Sequence, residues 1–435
     1  MSDYFPGEVL IEILSKLPAK SLLRFRCVSK SWSSLISSSD FITTHLTHST
    51  TTPPQLLIKH FSLTSNQENY SLYSDSSATL ENPLYFKCPF KPRSKTFFRL
   101  VSTCHGLLCL SDDLFGYAYT LILWNPSIRK YFTLPKPRVC FDTHGPYMFS
   151  LGFGFDLKTK DYKVVRIAYL QHKPGSWEPS AGVDSLMYGT EKGYLVPPEV
   201  EVFSLSTGSW KPINSNVPPY NMVEYCWSSV FVNGTIHWLG YSHRKDRDHS
   251  YCNVIMGFNV GDEILKDINL PKLLVYAYPL NLSISVCGEM ITVFQYDNRL
   301  KSKRCYVWIM KEYGVVESWS KQFTIEIPGL GRGVSLGFRT TGELLIARSD
   351  GKLVLYNPKS KGVKKKGIRG GRDSYYVGNY VESLVLLDRG SQMDSYDEAM
   401  FEEEPNISGE DGAMADLLER NSFMHYAFAA VFLNH

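Results

Sequence analysis

Residues 5–36 read FPGEVLIEILSKLPAKSLLRFRCVSKSWSSLI, and this stretch decides how the N-terminal end of the 435-residue chain folds. Its first apolar residues recur at the three- and four-residue spacing of one helix face, and they are Val9, Leu10, Ile13, Leu14 and Leu17. Pro6 suits a first helical turn, and Pro18 ends that helix. A second set at roughly helical spacing consists of Leu22, Phe25, Val28 and Trp32. The pattern predicts two or three short helices.

This helical segment presents more large apolar side chains than it can bury within itself. A module of about 40 residues hides too little surface to be securely stable alone. The surplus therefore indicates a partner surface. Periodicity leaves two alternatives open, because the helices could pack onto the chain's own β domain or dock onto another protein.

The residues of this segment resemble the F-box. The resemblance rests on Pro6, an I-L-x-x-L-P core at 13–18, a K-S-L-x-R-F-R-C-V-S-K-x-W run at 20–32 and a closing L-I at 35–36. Phe5 stands where the family usually has Leu. The resemblance implies binding to the Skp-type adaptor of a cullin–RING ubiquitin ligase. The adaptor-binding residues that we predict are Pro6, Val9, Leu10, Ile13, Leu14, Leu17, Pro18, Leu22, Phe25, Val28 and Trp32.

The overall composition is typical of a folded intracellular protein. With 43% hydrophobic residues the chain can form a large core, and its length predicts two or three domains. A net charge of +3 argues against a protein built mainly to bind nucleic acid or acidic membranes. The nine cysteines are scattered without a C-x-x-C pair, so we expect reduced thiols. No run approaches the roughly 18 apolar residues of a membrane span, and we expect a cytoplasmic or nuclear location.

From about residue 54 to 388 the chain consists of short runs rich in Val, Ile, Tyr, Trp and Phe, separated by turn residues. Such runs predict strands, and the last of them is YVESLVLLD at 380–388. Gly234, Gly288 and Gly342 lie at equal spacings, and each opens a strand that leads to a second strand. Gly106 begins a similar unit. A period of about 50 residues with three to four strands per unit predicts a β-propeller, here of about six blades.

This region resembles the F-box-associated, kelch-like interaction domain of a large plant F-box family that includes the S-locus F-box-like proteins. The segments that carry the resemblance are GLLCL (106–110), LWNPSIRKYFTLP (123–135), LGFGFD (151–156), DYKVVRI (161–167), EVFSLSTGSWK (201–211) and YVESLVLL (380–387). We therefore expect a mainly β protein with a small helical F-box at 1–45 and a propeller-like recognition domain at 46–388. We expect an acidic linker at 389–435, and its last residues have the apolar pattern of a terminal helix.

The sequence contains partial matches to motifs of catalysis, metal binding and nucleic-acid binding, but none of them is specific. Gly333 to Gly337 match G-x-S-x-G, but a strand-like run follows where a nucleophile elbow needs a helix. His243, His249 and Cys252 lack a fourth ligand for a closed metal site. The basic stretch 359–372 could be a nuclear signal or an RNA contact, although lysines commonly guard an exposed strand edge. We predict no catalytic residue, metal or cofactor.

Target contacts are expected from loops on one face of the propeller, because loops on a rigid scaffold carry variable recognition. The candidate residues are Trp177 and Tyr188 in the long insertion 171–198, and Tyr241, Arg244, Arg247 and Tyr251 in the loop 241–251. No motif identifies the target itself.

The resemblances imply a substrate receptor of an SCF-type (Skp–cullin–F-box) ubiquitin ligase, which presents a target protein for ubiquitination. Two alternatives stay open. One is a propeller enzyme or binding module with a vestigial helix pair. The other is an adaptor-bound scaffold without ligase activity.

Overall fold

The computed structural model describes residues 6–51, 55–76, 80–92, 97–112, 120–144, 147–170, 197–213, 221–222, 229–243, 251–297, 304–326, 334–371 and 374–388. This part of the chain contains an N-terminal group of helices followed by six antiparallel sheets. None of its helices is both long enough and apolar enough to cross a membrane.

Four helices form the N-terminal module, and they are α1 (Gly7–Leu14), α2 (Ala19–Phe25), α3 (Lys30–Ile36) and α4 (Ser39–Thr51). Pro6 and Pro18 directly precede α1 and α2, where a proline is tolerated because the first helical N–H groups have no partner within the helix. Ser29 caps α3, since its hydroxyl accepts a hydrogen bond from the Trp32 N–H at 3.2 Å. The domain boundary that we placed after residue 45 lies inside α4.

The strands form six blades. Blade 1 begins with β1 (Gln55–Ser62), β2 (Gln67–Ser74) and β3 (Leu84–Phe86), and blade 2 contains β4 (Arg99–Cys104), β5 (Leu107–Ser111), β6 (Leu121–Asn125) and β7 (Lys130–Thr133). Blade 3 contains β8 (Tyr147–Asp156), β9 (Asp161–Leu170), β10 (Glu199–Ser204) and β11 (Ser209–Ile213). Blade 4 contains β12 (Asn221–Met222), β13 (Val230–Val232), β14 (Thr235–His243), β15 (Tyr251–Asn259) and β16 (Ile264–Ile268).

Blade 5 contains β17 (Leu282–Cys287), β18 (Met290–Asp297), β19 (Arg304–Met310) and β20 (Trp319–Glu326), and blade 6 contains β21 (Val334–Phe338), β22 (Leu344–Ala347), β23 (Lys352–Asn357) and β24 (Gly362–Arg369). The last strand, β25 (Tyr376–Tyr380), returns to blade 1 and pairs with β1. Two short helices, α5 (Phe141–His144) and α6 (Lys272–Val275), lie in linkers between blades.

The blades form a closed ring. The inner strands contact one another in the order β25, β4, β8, β13, β17 and β21, and β21 contacts β25 again. Because β25 comes from the C-terminal end and β1 from the N-terminal end, the two ends of the domain join within one blade. The fold is therefore a six-bladed β-propeller that follows helices, as the repeat and the composition of the strands predicted.

The predicted glycine repeat marks the same turn in four blades. Gly106, Gly234, Gly288 and Gly342 lie between the first and second strands of blades 2, 4, 5 and 6, with φ values of 78°, 66°, 62° and 80°. Glycine adopts this left-handed backbone without a steric penalty. The equal spacing in the sequence thus reflects one backbone geometry that recurs once per blade.

The segment 381–388 was predicted to continue a strand to residue 388, and this prediction is wrong. The strand β25 ends at Tyr380, and the following residues are coil and turn. The side-chain amide of Asn125 donates to the carbonyls of Ser383 at 3.1 Å and Val385 at 2.9 Å, so a side chain takes the place of a neighbouring strand. Leu386 has a φ of 80°, which is incompatible with a strand.

Two motifs that the sequence singled out have structural roles. Ser335 lies within β21 and is followed by β22, so the G-x-S-x-G match is not a strand–turn–helix elbow. The lysine-rich run forms β24, the outer edge strand of blade 6, where charged side chains discourage pairing with other chains.

Candidate functional site

The helical module sits directly on the propeller. Leu14 and Leu22 are 2% and 0% exposed, and they pack in one apolar cluster with Leu384 and Leu386. The N–H of Ala19 at the start of α2 also donates to Glu382 Oε2 at 3.1 Å. One face of the module is therefore part of the chain's own core, and Leu14 and Leu22 are not accessible to a partner.

The opposite side of the module leaves apolar side chains uncovered. Val28 is 63% exposed, Ile13 is 52% exposed, and Val9 is also exposed. The other predicted adaptor-binding residues are either exposed prolines, Pro6 and Pro18, or half-buried residues packed against the core cluster, namely Leu10, Leu17, Phe25 and Trp32. The module therefore packs onto its own β domain, which confirms the first alternative from the sequence, and it still presents an apolar surface.

The internal contacts of the module fix its shape. The rings of Phe25 and Trp32 meet edge to face with centroids 5.6 Å apart. His45 on α4 places its Nε2 atom 3.0 Å from the carbonyl oxygen of Leu17, which holds the loop between α1 and α2 against α4. Burial lowers the pKa of His45, so the neutral ring that donates this hydrogen bond is the stable form.

Residues 381–388 form the seat of the module on the ring. Besides the bonds of Asn125, this seat touches Gly106, where an added Cβ would lie 2.6 Å from the carbonyl oxygen of Val381. Gly106 lies in the turn between the first and second strands of blade 2, and Asn125 stands at the turn between its third and fourth strands. Because successive strands of a blade are antiparallel, all such turns lie on one face of the ring. We call it the module face.

The remaining connections lie on the opposite face, which we call the loop face. They are the connections between second and third strands and the linkers between blades. The strands that flank the two predicted target loops, β9 with β10 and β14 with β15, are second and third strands. Both loops therefore leave the ring on the side that faces away from the helical module.

Three tyrosines form a cluster on the loop face. The ring of Tyr251 lies 5.6 Å from that of Tyr241 and 5.7 Å from that of Tyr278, both edge to face. Tyr276 and Leu273 in the adjoining linker are exposed. The structure thus brings together two of the predicted target-binding residues. Trp177, Tyr188, Arg244 and Arg247 lie outside the described residues.

The sequence analysis missed Tyr278, Tyr276 and Leu273, because it searched long loops and not the linker between blades 4 and 5. The signal that could have found them is the run of residues 273–279, LLVYAYP, in which two tyrosines closely precede a proline. Closely spaced aromatic residues in an irregular segment are unusual unless they pack or bind.

The family models settle the class of protein. The F-box domain model matches residues 4–44. The model of the F-box associated beta propeller domain matches residues 56–392, which is most of the chain. The chain belongs to the F-box-associated β-propeller family.

Related F-box proteins are found in Arabidopsis thaliana. F-box protein CPR1 is 28% identical over 404 residues, which are 88% of this chain and 89% of that protein. F-box protein At3g07870 is 29% identical, covering 74% of this chain and 73% of that protein. F-box/kelch-repeat protein At3g23880 is 26% identical, covering 81% of this chain and 87% of that protein. Among solved structures, SapL1 lectin in complex with alpha methyl fucoside aligns over 73% of this chain and 97% of its own at 11% identity, with a TM-score of 0.37.

Neither matched family model describes a catalytic domain, and proteins that combine an F-box with a propeller generally act as adaptors. The described residues contain no group of three or more His, Cys, Asp or Glu side chains that could hold a metal ion. The polar groove at the module face of blade 3 has a volume of about 310 Å³, but its charged groups are already paired. Lys163 bonds to Asp156 and Glu263 at 2.8 and 2.9 Å, and Asp161 accepts from Ser204 and Ser206.

Proposed function

We propose that this F-box protein is the substrate-recognition subunit of an SCF-type ubiquitin ligase. The observation that carries the proposal is the separation of two surfaces on one ring. The exposed apolar residues of the F-box, Val9, Ile13 and Val28, lie with the helical module on the module face. The tyrosine cluster lies on the loop face.

The docking surface is the exposed side of the F-box. It would bind the Skp-type adaptor and, through it, the cullin and RING subunits. Apolar surface that a partner removes from water favours binding roughly in proportion to its area. We therefore place Ile13 and Val28 at the centre of this contact, and we assign Leu14 and Leu22 to the internal core that keeps the surface in shape.

The chain performs no bond chemistry in this mechanism. It holds a target protein so that the lysines of the target meet the ubiquitin thioester that the rest of the ligase carries. Holding two reactants together raises their effective concentration, and a rigid arrangement raises it further. The seat at 381–388, with its side-chain bonds to Asn125 and its contact with α2, supplies that rigidity between docking and recognition surfaces.

Target recognition is assigned to the loop face. Tyr241, Tyr251 and Tyr278 would be anchors, because tyrosine presents a large rigid apolar ring and a polar tip. The loops that carry Trp177, Tyr188, Arg244 and Arg247 leave the ring on the same face, and they remain candidates for contacts around these anchors. The chain would act in the cytoplasm or nucleus.

The proposal predicts that the two surfaces can be inactivated separately. In plant cells, a chain with Ile13→Asp and Val28→Asp should keep its target but lose the adaptor, so the bound target accumulates and its half-life lengthens. A chain with Tyr241→Ala and Tyr251→Ala should keep the adaptor and lose the same target. Affinity purification followed by pulse-chase measurement of the captured proteins gives both quantities.

The same measurement separates the ligase from a scaffold. If the captured proteins bind the docking variant but their half-lives do not change, the chain is an adaptor-bound scaffold without ligase activity. If both variants capture the same proteins as the intact chain, the loop face is not the recognition surface.

A further inference from the structure

The linker between blades 4 and 5, residues 269–281, has a sequence that favours one fixed shape. It contains two prolines, Pro271 and Pro279, and no glycine. Proline holds φ near −65°, so the backbone of such a segment has few conformations open to it. Pro271 directly precedes α6, and Pro279 begins a short 3₁₀ turn.

Asn253 on β15 supplies the hydrogen bonds that hold this linker against blade 4. The residue is 2% exposed, and its Nδ2 atom donates to the carbonyl oxygens of Leu274 and Ala277, both at 2.8 Å. The last carbonyls of a helix lack ordinary helical partners. A single side-chain amide therefore closes the C-terminal end of α6.

The amide of Asn253 serves the linker and not its own strand. Its Nδ2 atom has two acceptors in the linker, whereas its Oδ1 atom is buried without a hydrogen-bond partner among the described residues. A buried oxygen without a partner lowers stability. An apolar side chain of the same size would thus suit the interior of blade 4 at least as well, and the linker carbonyls explain why an amide stands here.

Blade 5 holds the same linker from the other side. Gln295 on β18 donates from Nε2 to the carbonyl oxygen of Leu273 at 3.4 Å, and its Oε1 atom accepts from the Trp308 side-chain N–H at 3.2 Å. Leu274 is completely buried and packs in one apolar cluster with Ile255 of blade 4. The backbone of the linker is therefore held by both blades.

Two side chains of the linker stay outside this packing, and we call them the linker patch. Leu273 is 67% exposed and Tyr276 is 39% exposed, and the two are one helical turn apart. Lys272 is the one charged residue in the sequence of the linker. Tyr278, two residues after the patch, contacts the ring of Tyr251. The linker patch is thus apolar and continues the tyrosine cluster of the loop face.

We propose that Asn253 is a positioning residue for target recognition, because it holds Leu273 and Tyr276 in place to contact an apolar part of the target protein. This inference rests on the proposed function, since it concerns the same target and the same face. Asn253 is buried and does not touch the target itself. A surface that is ordered before binding loses less conformational entropy when the target binds. Removing the amide should therefore weaken target binding and leave the F-box unchanged.

Asn259 provides a matched control on the same strand. It lies at the opposite end of β15, on the module face, where its Oδ1 atom accepts from the N–H groups of Gly261 and Asp262 at 3.1 and 2.7 Å. Asn259→Ala removes an amide that supports a turn of the same blade, but it leaves the linker untouched. If Asn253 has a merely structural role, the two alanine variants should behave alike.

Hydrogen exchange of the full-length chain, followed by mass spectrometry, tests the positioning. In Asn253→Ala we expect the amides of 272–278 to exchange about tenfold faster, because two hydrogen bonds to the linker are lost. The amides of 282–297 in blade 5 should exchange as in the intact chain. Asn259→Ala should leave the exchange of the linker unchanged. Unchanged linker exchange in Asn253→Ala, or faster exchange throughout blade 4, would overturn the proposal.

Target retention tests the consequence for recognition. The probe is the set of proteins that the intact chain captures from plant cells and that the chain with Tyr241→Ala and Tyr251→Ala does not. These proteins should dissociate about tenfold faster from Asn253→Ala. Leu273→Asp, which changes an exposed side chain and should fold normally, should show the same loss. Asn259→Ala should retain them like the intact chain, and all variants should bind a Skp-type adaptor equally.

The outcomes separate this inference from the proposed function. If the captured proteins depend on the two tyrosines but dissociate from Asn253→Ala and Leu273→Asp at the intact rate, the linker patch is not part of the recognition surface and the inference fails alone. If no captured protein depends on the tyrosines, the proposed recognition surface fails and the role of the linker patch fails with it. Hydrogen exchange then still shows whether Asn253 orders the linker.

Discussion

Replacing Asp75 with alanine is expected to lower the free energy of unfolding by about 3 kcal/mol, because it removes buried hydrogen bonds to charged groups and leaves Arg339 with Glu343 as its remaining carboxylate partner, at 2.7 Å. Asp75 and Arg339 are almost completely buried, and Asp75 Oδ1 accepts from Arg339 Nε at 2.9 Å. Asp75 Oδ2 accepts from the Thr340 N–H at 2.8 Å. These bonds join blade 1 to blade 6 where the ring closes. Losing them should therefore lower the stability of the whole propeller.

Urea unfolding of the purified chain, followed by circular dichroism, measures this effect. The control is Asp350→Ala, which removes a partly exposed acid 3.5 Å from Arg348 and should cost less than about 1 kcal/mol. Asp75→Asn keeps the shape of the side chain, so it should lower the free energy of unfolding by less than Asp75→Ala does. An Asp75→Ala chain that unfolds at the same urea concentration as the control would show that this ion pair does not hold the ring closed.

Replacing Gly106 with alanine should destabilise the protein by about 3 kcal/mol. Two effects add at this position. The φ of 78° is unfavourable for any residue with a Cβ, and the new atom would lie 2.6 Å from the carbonyl oxygen of Val381 and 2.7 Å from Ser383 Oγ. The substitution therefore strains a turn of blade 2 and displaces the seat of the F-box.

Gly342→Ala is the matched control for this change. Gly342 occupies the equivalent turn of blade 6 with a φ of 80°, but no atom lies within 4 Å of an added Cβ. Its substitution should cost only the backbone strain, about 1 kcal/mol. The same urea experiment compares the two variants. Equal losses would contradict the close contact between blade 2 and the seat.

The repeat could be predicted from the sequence because a physical requirement recurs at one position. Gly234, Gly288 and Gly342 stand where the turn needs a positive φ, and glycine meets that need most easily. Their equal spacing therefore follows the blades. The helices were likewise predictable from apolar spacing, although α4 has a weak apolar pattern and was missed.

The direction of each apolar side chain could not be predicted in the same way. Ile13 and Leu14 are neighbours in the sequence and both apolar, yet Leu14 is buried against the seat and Ile13 faces outward. Which side of a short helix packs inward depends on residues 384–387, about 370 positions away in the chain. The seat itself resembled a strand in composition, but its path depends on contacts that are distant in the sequence, among them the hydrogen bonds from the side chain of Asn125.

The most direct test of the central claim is the affinity of the purified full-length chain for a plant Skp-type adaptor, measured by calorimetry. We expect the intact chain to bind, and Ile13→Asp with Val28→Asp to weaken binding at least tenfold, about 1.4 kcal/mol. Leu63→Asp is the control, since Leu63 is 69% exposed in the β1–β2 turn of the loop face, and it should bind like the intact chain. A folded intact chain that does not bind, or equal binding by all three chains, would contradict the assignment of this surface to the adaptor.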